Sequence, residues 1–116
     1  MKPEILEFLQ EGGDMESLAL RLHAWQVEHI PHYAAFCGGA APETLEQIPA
    51  VPVSLFRELH LCISEQPGAL FRTSGTTTGV RGIHRMPDTD VYDAAATSWF
   101  ESCVQLPAET QWISLV

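Results

Sequence analysis

A chain of 116 residues, 46% hydrophobic and 18% charged, can bury the core of one modest domain and is too apolar to be disordered. Fifteen acids against six bases leave a formal charge of −9, a surface that repels phosphate backbones and anionic membranes and so argues against nucleic-acid binding. No apolar run approaches the roughly 18 residues of a membrane span, and Met1-Lys2-Pro3-Glu4 lacks the apolar stretch of a signal peptide.

The first 39 residues read as helical. Pro3 opens a short helix carrying Ile5, Leu6 and Leu9, which Gly12-Gly13 stops. Asp14 then caps a second helix to about Glu28, with Met15, Leu18, Leu22 and Trp25 on one apolar stripe. Pro31 forces a break, and a short turn of helix around His32–Cys37 ends at Gly38-Gly39. Residues 40–58, interrupted by Pro42, Pro49 and Pro52, form an irregular connector.

From residue 59 the pattern changes. Leu59–Ser64 and Ala69–Thr73 are short β-prone runs on either side of the turn signal Glu65-Gln66-Pro67-Gly68, and Val80–Met86 is another candidate strand. Asp88 or Thr89 caps a helix running to about Cys103, with Asp90 and Asp93 favoured by its dipole and Tyr92, Ala95, Ala96, Trp99 and Cys103 as its buried stripe. Beyond Pro107, the apolar run Trp112–Val116 reads as the interior strand of a parallel sheet. Such a strand needs neighbours that this chain lacks, so the expected architecture is α/β as part of a larger domain. Within these residues it is α+β: helices, a β-hairpin, then helix and strand. An uncovered terminal strand is also expected to drive self-association.

Charge is segregated along the chain. Residues 1–65 balance to −7 and 88–116 to −5, whereas residues 66–87 hold Arg72, Arg81 and Arg85 and no acid. This basic island coincides with Thr73-Ser74-Gly75-Thr76-Thr77-Thr78-Gly79, which places five hydroxyls and two glycines in seven residues. Glycines let backbone N–H groups approach a ligand closely, hydroxyls add rotatable donors, and an arginine supplies charge. That combination suits phosphate oxygens, although the same residues also make an ordinary polar hairpin loop. Walker A is excluded because no lysine follows Lys2, and the dinucleotide fingerprint is excluded because the loop lies between strands.

Other candidates are weaker. His29-x-x-His32 with Cys37 offers zinc-ligand residue types, but Pro31 breaks their register and no fourth ligand is sensibly spaced, so no metal site is expected. Ser74 lacks the G-x-S-x-G setting of a hydrolase nucleophile. Trp25 and Trp99 lie on helical stripes and read as core. His84 either points outward from its strand or faces a ligand. Cys37, Cys62 and Cys103 form no C-x-x-C pair and read as reduced, mostly buried thiols of a cytoplasmic protein.

The run T-S-G-T-T-T-G-V-R-G at 73–82 resembles the first core motif, T-S-G-T-T-G-x-P-K-G, of the adenylate-forming superfamily. Ile48-Pro49-Ala50-Val51-Pro52-Val53-Ser54-Leu55-Phe56-Arg57, Phe71 before the loop and His84 after it are similar to the phenylacetate-CoA-ligase-like branch, especially the acyl-protein synthetases of bacterial bioluminescence. The resemblance spans roughly residues 25–105, with the loop as its sharp motif. It implies that Thr73, Ser74, Gly75, Thr76, Thr77, Thr78 and Gly79 grip the phosphates of ATP, with Arg81 where the family often has lysine. The implied reaction joins a carboxylate to ATP, giving acyl-AMP and pyrophosphate, then passes the acyl group to a thiol of CoA or of a protein. Mg²⁺ is implied too, but the motifs for adenine, ribose, Mg²⁺ and the catalytic lysine have no counterpart here. The chain departs from the motif in having Thr78 for glycine and Val80 for proline. The expectation is the N-terminal part of such a ligase, inactive by itself. The alternatives are a binding module that holds a nucleotide or anion without chemistry, and a truncated gene product.

Overall fold

Proline and glycine punctuate the helical half as their backbone preferences require. Pro3 lies in the first turn of α1 (Lys2–Glu11), and Gly12 ends that helix by donating its N–H to the Phe8 carbonyl. The Asp14 carboxylate accepts the Ser17 N–H at 3.1 Å and caps α2 (Met15–His29). Pro31 starts α3 (Pro31–Cys37), and Gly38, in the left-handed region at φ 60°, closes it. The structure is a computed structural model that describes residues 1–73 and 81–104. The expected strand at 112–116 therefore lies outside the described residues.

The buried centre forms where α3 folds back on α2. Ile30, Tyr33 and Cys37 pack together, with Val27, Val51 and Leu61 against them. His23, the one buried residue of α2, shares a 2.8 Å hydrogen bond between its Nδ1 and the Tyr33 hydroxyl. The expected stripe is corrected here: Leu18, Leu22 and Trp25 are half-buried, but Met15 is 59% exposed. The helix thus turns a satisfied polar ring inward, beside its apolar neighbours.

The connector is not wholly irregular. A 3₁₀ turn spans Leu45–Gln47, and a short helix, α4 (Leu55–Glu58), follows Pro52. Leu59–Ser64 is not a strand. Leu61 packs on the helical core and Cys62 is buried, while His60 Nε2 donates to the Ser64 carbonyl at 2.9 Å and curls the segment. Leu61 and Cys62 are drawn inward while Ile63 stays 46% exposed, so the run has no alternating strand face to pair.

The expected hairpin is present. β1 (Ala69–Arg72) pairs antiparallel with β2 (Ile83–Met86) in the register Ala69↔Met86, Leu70↔Arg85, Phe71↔His84 and Arg72↔Ile83. At its open end the Gly68 N–H donates to the Pro87 carbonyl at 3.1 Å. A Cβ at Gly68 would sit 2.5 Å from that oxygen, so only glycine lets these two backbones meet. The fold of the described residues is α+β.

The last helix, α5 (Asp90–Cys103), lies along α1. The Lys2 ammonium pairs with Asp88 at 2.8 Å and also with Asp90, and Ser98 Oγ donates to the Leu9 carbonyl. The expected buried stripe of α5 is overturned: Trp99 is 69% and Tyr92 52% exposed, and Ala96 and Cys103 are exposed as well. Leu9 and Gln10 line a groove with Ala94, Thr97, Ser98 and Glu101, so the smaller and more polar side chains of α5 face α1. The aromatic side faces outward.

Tyr33 supplies a pH test of the helical core. Burial, and then the Cys37 thiol beside it, push its phenol up from 10.0 to about 12. A raised folded-state pKa means the neutral phenol's contribution is intact below the unfolded value and is lost as pH climbs to the folded one. Stability to urea should therefore fall between about pH 10 and about pH 12, and Tyr33→Phe should flatten that fall. The difference between the two proteins separates Tyr33 from Lys2, whose pairing with Asp88 and Asp90 weakens in the same direction. An identical pH profile in both would contradict the assignment.

Candidate functional site

Parity along the hairpin sorts its side chains onto two faces. Residues directly opposite in an antiparallel pair share a face, so Ala69, Phe71, His84 and Met86 lie on one and Leu70, Arg72, Ile83 and Arg85 on the other. The first face is fastened to the rest of the chain by aromatic rings. Phe56 of α4 stacks on His84, with ring centroids 4.4 Å apart and planes 25° from parallel. Phe71 meets Tyr92 of α5 at 5.4 Å. Such pairs add roughly 0.5–1.5 kcal/mol each beyond the area they bury.

The hairpin carries a loop whose base is fixed at both ends. The Thr73 N–H donates to the Gly82 carbonyl at 3.0 Å, and the Gly82 N–H donates to Thr73 Oγ1 at 2.8 Å. Gly82 is buried. The Thr73 hydroxyl therefore accepts within the protein and keeps its own proton to donate. Ser74, Gly75, Thr76, Thr77, Thr78, Gly79 and Val80 lie outside the described residues.

Arg81 and Arg72 are exposed and Arg85 is half-buried. The ion pairs among the described residues use Lys2, Arg21, His29 and the N-terminus, and none uses these three arginines. The acids that follow the hairpin, Asp88 and Asp90, are engaged by Lys2. Lys2 holds the Asp88 carboxyl below its ordinary value, and the Asp90 N–H adds to that effect. The basic island of the sequence is thus a feature of the folded chain. By contrast, a cleft between α1 and α2 is lined by Glu4, Glu7, Glu11 and Asp14, and its Arg21 already pairs with Glu4 at 3.1 Å. That cleft repels anions.

Sequence reasoning assigned Leu55–Glu58 to the connector and so missed the support of His84. The signal was present in Pro52 and Ser54 ahead of Leu-Phe-Arg-Glu, a short helix start. His84 is half-buried, with one ring face covered by Phe56. Among the described residues no group of three or more His, Cys, Asp or Glu side chains is placed to hold a metal ion. His29 Nδ1 donates to the Trp25 carbonyl and its ring stacks on Trp25. Cys37 and Cys62 are buried free thiols, whereas Cys103 is exposed, against expectation. No helix among the described residues is long and apolar enough to cross a membrane. Comparison with protein-family models, curated proteins and solved structures found no match.

The loop base is testable by one isosteric change. Thr73→Val keeps the shape but leaves the buried Gly82 N–H without its acceptor, a loss of about 1–3 kcal/mol. Thr73→Ser should retain most of that stability. Equal urea midpoints for the valine and serine variants would show that the hydroxyl does not close the loop.

Proposed function

We propose that the chain is the N-terminal part of an ATP-dependent, acyl-adenylate-forming ligase, with the hairpin presenting its phosphate loop. The observation that carries this reading is the loop's setting. A Ser/Thr/Gly run that resembles the superfamily's first core motif is joined to a hairpin with a pinned base and three arginines lacking ion-pair partners among the described residues.

In this reading the carboxylate oxygen of the substrate attacks the α-phosphorus of ATP. The bond to the β-phosphate oxygen breaks, and acyl-AMP and pyrophosphate result. Charge spreads over the phosphoryl oxygens in the transition state, so donors already in position lower the barrier. Thr73 supplies its hydroxyl proton, Ser74, Gly75, Thr76, Thr77, Thr78 and Gly79 supply N–H and O–H groups, and Arg81 supplies positive charge at the loop's exit. A thiol, of CoA or of a protein cysteine, then takes the acyl group. Mg²⁺ would screen the phosphate charge, but Asp88 and Asp90 are paired with Lys2 and do not suit it, so its ligands are assigned to no residue here.

The exposed Tyr92 and Trp99 on α5 support the view that further chain covers this helix in the whole enzyme. The same arginines also favour a second reading, a module that holds a nucleotide or anion without chemistry. Carboxylate-dependent ATP–pyrophosphate exchange separates the two. In the whole enzyme, Thr76→Ala or Thr77→Ala should lower exchange on the order of 10²-fold, as for lost transition-state donors. Undiminished exchange in both variants would defeat the loop assignment. ATP binding without any exchange would favour the module.

A further inference from the structure

Arg72 and Arg85 lie outside the loop motif that contains Arg81. Arg72 and Arg85 share the face opposite the aromatic anchors and stand diagonally across the strand pair, about 7–8 Å apart along the backbone. Arg81, two residues before Ile83, has the same parity, and the Thr73–Gly82 hydrogen bonds carry the register up to its neighbour. Arg72 and Arg85 therefore fall on one side of the hairpin, and Arg81 enters β2 two residues ahead of Ile83. Phe56 and Tyr92 contact the other side. On the arginine side Leu70 remains 51% exposed and Arg72 is exposed.

We propose that Arg72, Arg81 and Arg85 form a polyphosphate-binding face, which takes the chain of two or three phosphates on a nucleotide or free in solution. The inference rests on the reading of the hairpin as a phosphate binder, but not on catalysis. Arg81 and Arg85 are four residues apart, about 13 Å along an extended strand, a spacing that suits a chain of phosphates better than a single one. A phosphate chain offers successive anionic groups to planar forks that bind them through paired hydrogen bonds. Nucleic acid carries the same phosphate chemistry, but fifteen acids on the chain oppose the approach of so extended a polyanion. A short phosphate chain needs only this patch.

Calorimetric titration of the 116-residue chain tests the face, using inorganic tripolyphosphate, orthophosphate and ATP as probes. Tripolyphosphate should bind at least about tenfold more tightly than orthophosphate, and Arg72→Gln or Arg85→Gln should each weaken both tripolyphosphate and ATP by about tenfold. Arg21→Gln, at the acidic cleft, should leave binding unchanged. Arg72 is exposed, so its variant remains informative should the half-buried Arg85 prove needed for folding. Equal losses from Arg21→Gln, or variants that bind tripolyphosphate as the parent does, would overturn the proposal. Tripolyphosphate binding without pyrophosphate exchange in the whole enzyme would uphold the face and remove the ligase reading. Exchange without tripolyphosphate binding would do the reverse.

Discussion

A two-stranded hairpin in water is marginal by itself, and everything assigned to this chain depends on what holds one. Here the holding is done by ring contacts on a single face: Phe56 on His84 and Phe71 against Tyr92, with Phe71 and His84 directly opposite each other across the strands. These contacts tie the hairpin to α4 on one side and to α5 on the other. Because they occupy one face, they leave the other to the arginines. The Thr73–Gly82 hydrogen bonds close the far end of the strand pair.

The opposite end of the hairpin is fixed by a different constraint. Gly68 and Pro87 meet backbone to backbone, and only the absence of a Cβ allows it. Immediately after Pro87, Asp88 and Asp90 reach Lys2 at the head of α1. An exposed pair of this kind contributes little stability. It engages Asp88 and Asp90, the acids that follow the hairpin in sequence, and the three arginines form no ion pair among the described residues.

Much of this was legible in the residues because the signals were local. Pro3, Gly12, Asp14, Pro31 and Gly38 act within a turn of their own positions, and the helix limits follow them closely. The hairpin was legible from the two β-prone runs at 69–73 and 80–86 on either side of the Ser/Thr/Gly stretch. The failures were in tertiary matters. An apolar run at 59–64 was read as a strand, but Leu61 packs on the helical core and Ile63 is exposed. Helix α5 has a clear apolar stripe, yet its contact with α1 uses Ala94, Thr97 and Ser98, and periodicity does not say which face finds a partner. His23 went unremarked because a buried histidine is recognisable only once Tyr33 is seen beside it. The candidate site divides in the same way. Thr73 and Arg81 were found by motif, whereas the shared face of Arg72 and Arg85 needs the register of the strands.

On the proposed reading phosphate groups are held by this hairpin and not by the acidic helices. Mapping the amide NMR signals of the chain during titration with ATP tests it most directly. Shifts should concentrate in Arg72, Thr73 and residues 81–85, with the signals of α1 and α2 left in place. Shifts concentrated around Glu4, Asp14 and Arg21, or no shifts at ATP concentrations that saturate nucleotide-binding proteins, would contradict it.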